Sequence, residues 1–159
     1  MRIYLLTHER ELDRNTNTGA IALSVASGPE GVVQRIVWSR TSPNQNLLQL
    51  LAQGAVGLLY PLSEADGTEI GVDECEHFIL LDATWQEARK IYNRSPYLKT
   101  VPRVNLRPEQ ESRYRLRRNQ KSDGLCTAEC VIQILQAKGK AALAAEVETA
   151  FDGFNSRAQ

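Results

Sequence analysis

Apolar positions fall into short runs separated by polar stretches, and the spacing within each run predicts its element. Ile3, Tyr4, Leu5 and Leu6 are consecutive between Arg2 and Thr7, the mark of a short buried strand. His8 to Thr18 is a polar loop rich in Glu, Arg, Asn and Thr. Gly19 to Ala26 has the alanine and leucine content of a helix. Gln34 to Ser39 reads as a second strand. Ser42-Pro43-Asn44 is a turn and helix-start signal. Leu47, Leu48, Leu50 and Leu51 then give Gln45 to Gln53 one apolar helix face. Gly57 to Tyr60 is strand-like, and Pro61 stops it. Ser63 to Glu76 reads as an acidic loop.

His77 to Asp82 is the clearest strand, nearly all apolar, as a central parallel strand should be. Thr84 followed three residues later by Glu87 is a capping box, which predicts a helix from there to about Tyr92, ended by Ser95-Pro96. Arg103 to Leu106 reads as another strand, and Pro108 to Asp123 as a polar, Arg-rich connection. Thr127 to Lys138 is an amphipathic helix closed by Gly139. Ala141 to Phe151 is a final helix, with a frayed tail from about residue 153. Strands alternating with helices predict an α/β fold, a three-layer domain with a mostly parallel sheet and residues 1–159 as one domain.

Composition narrows the class. A chain of 159 residues can bury roughly two-thirds of its unfolded surface, so no staple is needed. No apolar stretch reaches membrane-span length, and the N-terminus lacks a signal-peptide core. The expectation is a cytoplasmic protein without a membrane partner. Cys126 and Cys130 can share a helix face, but with Cys75, His8 and His77 as the remaining Cys and His a zinc site is hard to complete. Packing roles and no metal are expected. Net charge is zero, yet the charge is unevenly placed. Glu64 to Asp82 holds seven acids and no Lys or Arg, whereas Gln86 to Lys121 holds eleven bases and three acids. A basic segment of that density is a footprint for a polyanion, though a solvated basic surface reads the same way.

Four stretches carry candidate chemistry. Asp82-Ala83-Thr84-Trp85 ends a strand and opens a helix, where open α/β sheets bind ligands and where unpaired N–H groups point outward. There Asp82 is a candidate base or orienting group, Thr84 a cap, and Trp85 either core or a stacking wall. Arg113, Arg115 and Arg117 share one face of an extended segment with Tyr114 interleaved, which suits phosphate contact plus stacking on an unstacked base, or a basic surface strand. Asp123 to Glu129 is a Gly-containing turn into a helix start, able to receive an anion, with Glu129 suited by the dipole alone. The loop with His8, Glu11, Asn17, Thr18 and Gly19 leaves a strand end, and its lone His is more often structural than catalytic. Gly-x-Gly-x-x-Gly, P-loop and His-Glu-x-x-His motifs are absent.

Together these pieces resemble the DTW-domain family, whose signature Asp-x-Thr-Trp stands here as Asp82 to Trp85. The order matches as well: His8-x-x-Glu11 with Thr18-Gly19, then Leu59-Tyr60-Pro61, the signature, Ser112-x-Tyr114-x-x-Arg117, and Cys126-Thr127-x-Glu129. The resemblance implies a tRNA-uridine aminocarboxypropyltransferase, moving the 3-amino-3-carboxypropyl group of S-adenosylmethionine to uridine N3 and releasing methylthioadenosine. It implies catalytic roles for Asp82, Thr84 and Trp85. Leu59, Tyr60, Pro61, Leu125, Thr127 and Glu129 would border the S-adenosylmethionine, and Arg89, Arg113, Tyr114 and Arg117 would meet tRNA. It also implies likeness to SPOUT methyltransferases, with a trefoil knot in the C-terminal half, and a monomer or homodimer. The cysteine-rich segment that many bacterial members carry before the first strand is missing on this reading, which leaves substrate choice open. A SPOUT-type RNA methyltransferase and a non-catalytic RNA-binding module are the competing readings.

Overall fold

Strands that are apolar on both faces need cover on both sides. In the computed structural model, which describes residues 1–26, 31–60, 68–104, 106 and 126–157, strand β1 (Arg2–Thr7) turns Ile3 and Leu5 to one face and Leu6 to the other. Its neighbour β5 (His77–Asp82) repeats the pattern, with Phe78 and Leu80 on the first face and Ile79 on the second. Around this pair lie β2 (Val33–Val37), β3 (Val56–Leu59), β4 (Glu69–Ile70) and β6 (Arg103–Val104). The six-stranded sheet has the order β2-β1-β5-β3-β6-β4, and all its pairings are parallel.

Helices α1 (Gly19–Ala26), α4 (Thr127–Ala137) and α5 (Ala141–Arg157) cover the first face through Ala22, Val131, Ile134, Leu135 and Val147. Helices α2 (Gln45–Gln53) and α3 (Trp85–Asn93) cover the second through Leu47, Ala88 and Ile91. The result is the expected three-layer α/β arrangement. Both capping signals behave as read: Asn44 Oδ1 accepts from the Leu47 amide at 2.9 Å, and Thr84 Oγ1 from the Glu87 amide at 3.3 Å. No described helix is long and apolar enough to cross a membrane.

Three differences have physical reasons. Strand β2 starts at Val33 and stops at Val37, earlier than Gln34 to Ser39, because its pairing with β1 runs only from Ile3↔Val33 to Thr7↔Val37. The stretch read as an acidic loop contains β4, paired to β6 through Glu69↔Arg103 and Ile70↔Val104. Helix α5 continues past Phe151 to Arg157, where a frayed tail was expected, and Asn155 in that extension is buried. Strand β6 lies between β3 and β4, so those two strands, consecutive in sequence, are not neighbours in the sheet. The connection Pro108 to Asp123 lies outside the described residues.

Candidate functional site

Side-chain alternation puts Thr7, Arg35 and Asp82 on the α1/α4 face of the sheet, near the carboxyl ends of three adjacent strands. Asp82 is 0% exposed. Its Oδ1 accepts from Thr127 Oγ1 at 2.9 Å and Asn17 Nδ2 at 3.0 Å. Its Oδ2 accepts from Thr7 Oγ1 at 3.0 Å and Arg35 Nη2 at 3.3 Å. A buried carboxylate is costly unless its lone pairs are filled, and here four side chains fill them, one a guanidinium. Helix α1 begins with a glycine for the same reason. A Cβ at Gly19 would lie 2.7 Å from Asp82 Oδ2.

The donors are themselves held. Asn17 Oδ1 accepts from the Ala20 amide and from Arg35 Nη2, both at 2.9 Å. Thr18 Oγ1 accepts from the Ala128 amide at 3.1 Å, which ties the start of α4 to the start of α1. Glu129, in the first turn of α4, accepts from the Cys126 amide at 3.1 Å. Burial pushes the Cys126 thiol well up, so it stays protonated and acts as packing.

A second cluster sits where β1 and β5 run out. Arg14 forks onto Glu87 with Nη1–Oε1 at 2.9 Å and Nη2–Oε2 at 2.8 Å, and it also bonds the buried Glu11. Glu87 accepts the Thr84 amide at 3.1 Å and so completes the capping box. Burial pushes the Glu87 carboxyl up, but the Arg14 fork and the Thr84 amide outweigh it, and the net shift is downward. The same fork raises Arg14 against the opposing effect of burial. His8 stacks on Trp38 with ring centres 5.9 Å apart, and its Nδ1 accepts the Arg10 amide at 3.1 Å. Trp38 donates to Ser95 Oγ at 2.8 Å.

On the α3 face, aromatic rings form a ladder. Tyr60 stacks on Trp85 at 5.8 Å on one side and on Tyr92 at 4.4 Å on the other. The Tyr92 hydroxyl accepts from Arg103 Nη1 at 3.3 Å.

The DTW-domain family profile matches residues 1–159. The chain belongs to the DTW-domain family. That family is associated with tRNA modification. A search of solved structures found no match.

In this DTW domain the signature residues split between the two faces. Asp82 lies in the hub, Thr84 caps α3, and half-buried Trp85 joins the ladder with Tyr60. Thr127 reaches Asp82 directly, and Glu129 lies two residues further along α4. Leu59 ends β3 beside Tyr60. Arg89 is exposed on α3, with Lys90 and Arg94. Pro61, Arg113, Tyr114, Arg117 and Leu125 lie outside the described residues. Sequence reading passed over Arg35 and Arg103 as site residues. The available signal was an arginine within a strand on a face packed by helices, where a charge needs a reason. Among the described residues no group of three or more His, Cys, Asp or Glu could hold a metal ion.

Proposed function

We propose that this DTW domain is a tRNA-uridine aminocarboxypropyltransferase using S-adenosylmethionine. The observation that carries the reading is the family signature at the carboxyl end of the central strand, where an open parallel sheet presents its ligand crevice. S-adenosylmethionine supplies an activated sulfonium: uridine N3 attacks its γ-carbon, the Cγ–S bond breaks, methylthioadenosine leaves, and the N3 proton passes to solvent.

The residues present suit that group. Half-buried Trp85, backed by Tyr60, offers an aromatic face for an adenine ring near the end of β5. On this proposal Leu59 and, at the start of α4, Thr127 and Glu129 belong to the S-adenosylmethionine site, together with Pro61 and Leu125, which lie outside the described residues. Of the two roles open to Asp82, its burial and four donors favour orienting over proton abstraction. It fixes Thr7, Asn17, Arg35 and Thr127, so that the ends of β1 and β5 and the starts of α1 and α4 keep one spacing. Positioning of this kind is the main demand of a reaction whose leaving group is already activated. Exposed Arg89, with Lys90 and Arg94 beside it, gives α3 a basic edge for tRNA phosphates, which Arg113, Tyr114 and Arg117 would extend.

The fold reading goes with it. A SPOUT-like trefoil knot in the C-terminal half belongs to this proposal, as the family resemblance implies. Residues 107–125, in the connection from β6 to α4, lie outside the described residues. The deciding experiment incubates tRNA with the protein and S-adenosylmethionine labelled either in the methyl or in the aminocarboxypropyl group, followed by nucleoside analysis. Aminocarboxypropyl label on uridine is the expected result. Methyl label alone makes the protein a methyltransferase, and no label with tRNA bound makes it a binding module.

A further inference from the structure

Register places Arg103 against Leu58, so its side chain enters the α3 face of the sheet among Leu58, Tyr92 and Leu98. It is 0% exposed. Its Nη1 donates to the Tyr92 hydroxyl, while among the described residues Nε and Nη2 have no hydrogen-bond partner. No described acid lies within ion-pair distance of it, and its register neighbour Glu69 on β4 is exposed.

The two free nitrogens are not an arbitrary pair. Nε and Nη2 form the side-on edge of a guanidinium, the edge whose parallel N–H bonds match the two oxygens of a carboxylate. Tyr92 occupies the opposite corner and fixes the plane. A buried cation with an unpaired edge is among the costlier arrangements a protein interior can hold, so an anion that fills it gains far more than it would at a surface. Tyr92, which takes Nη1, is the last rung of the Trp85–Tyr60–Tyr92 ladder.

We infer that Arg103 is a carboxylate receptor beneath the aromatic ladder, and that the group it takes is the methionine carboxylate of S-adenosylmethionine. The identity of the ligand rests on the function proposed above; the need for an oxyanion rests on the geometry of Arg103 alone. Because protein covers Arg103 on every side, an incoming carboxylate meets it after a local opening of the chain. Anchoring the carboxylate would leave the γ-carbon as the reachable end of the methionine arm.

The test compares wild-type protein with Arg103→Met and Arg103→Lys by calorimetric titration of S-adenosylmethionine and of methylthioadenosine, which lacks the aminocarboxypropyl arm. Arg103→Met should weaken S-adenosylmethionine binding by about 10- to 100-fold, the value of charge-assisted hydrogen bonds. Methylthioadenosine binding should change by less than about twofold on the same grounds. Arg103→Lys should fall between, since an ammonium cannot fork. Unchanged S-adenosylmethionine affinity, or equal loss for both nucleosides, overturns the assignment. If wild type binds neither nucleoside, the proposed function fails, and the receptor is then judged with acetate and inorganic phosphate by thermal unfolding. Arg103-dependent stabilisation by acetate upholds the carboxylate site; stabilisation by phosphate alone, or by neither, overturns it. Without any anion added, Arg103→Met should raise the midpoint of thermal unfolding by roughly 3 °C, because an unpaired buried charge is removed. A fall instead would mean that an acid of this chain already pairs with Arg103, and the inference would be wrong.

Discussion

Asp82 and Arg103 are both fully buried charges in one sheet, on opposite faces, and they are treated in opposite ways. Asp82 has four side-chain donors drawn from two strands, the loop before α1 and the start of α4. Arg103 has one acceptor and, among the described residues, an open edge. A saturated charge has spent its bonding capacity on architecture: it joins elements and has nothing left to offer a substrate. An unsaturated one keeps its capacity for something that arrives later. On the function and the inference proposed above, the most recognisable residue of the signature organises the site, while a residue outside it recognises the ligand.

The sharpest way to break this comparison is Asp82→Ala. If Asp82 is the hub, removal strands Thr7, Asn17, Arg35 and Thr127, and urea unfolding should show a loss of about 3–5 kcal/mol. Wild-type stability with lost turnover would return Asp82 to the role of base. Gly19→Ala comes next. Its methyl would meet the Asp82 carboxylate at 2.7 Å, and overpacking there should cost about 1–3 kcal/mol. Thr84→Ala removes half of the capping box on α3 and should cost about 1 kcal/mol, with Thr84→Ser restoring most of it.

The smallest effect is a pH dependence. Glu87 sits below its ordinary value near 4.5 when folded: burial opposes this, and the Arg14 fork with the Thr84 amide prevails. A carboxyl depressed by folding stabilises the protein above its unfolded value and loses that contribution as pH falls through the folded one. The unfolding free energy from urea titration should therefore drop as pH is lowered from about 4.5, by up to ~1 kcal/mol, since Arg14 is partly solvated. Glu87→Gln should flatten that part of the profile. An unchanged slope in the variant would show that other acids carry it.

How much of this was legible in sequence depended on the kind of signal. Strands β1 and β5 and helix α2 were bounded correctly because uninterrupted apolar runs and an Asn cap mark them locally. Strand β4 left no mark: two residues within an acidic, Gly-containing stretch have no periodicity, and pairing with β6 alone makes them a strand. The end of α5 was missed because a chain terminus is expected to fray, whereas the burial of Phe151 and Asn155 holds the helix on. The signature, Thr127, which the structure sets against Asp82, and Glu129 were singled out through their order along the chain. Arg35 and Arg103 were not, because their roles depend on which face of the sheet each strand turns inward, a property of register that no local motif encodes.

The indole pair described above also equips the protein with its own instruments. Trp38 and Trp85 are the two tryptophans of the chain. Trp38 is pinned between His8 and Ser95, and Trp85 stands against Tyr60. Replacing Trp38 by phenylalanine would leave a single tryptophan, which can be excited apart from the tyrosines, placed where the adenine is proposed to lie. Its emission could then follow ligand arrival in real time, without an attached dye.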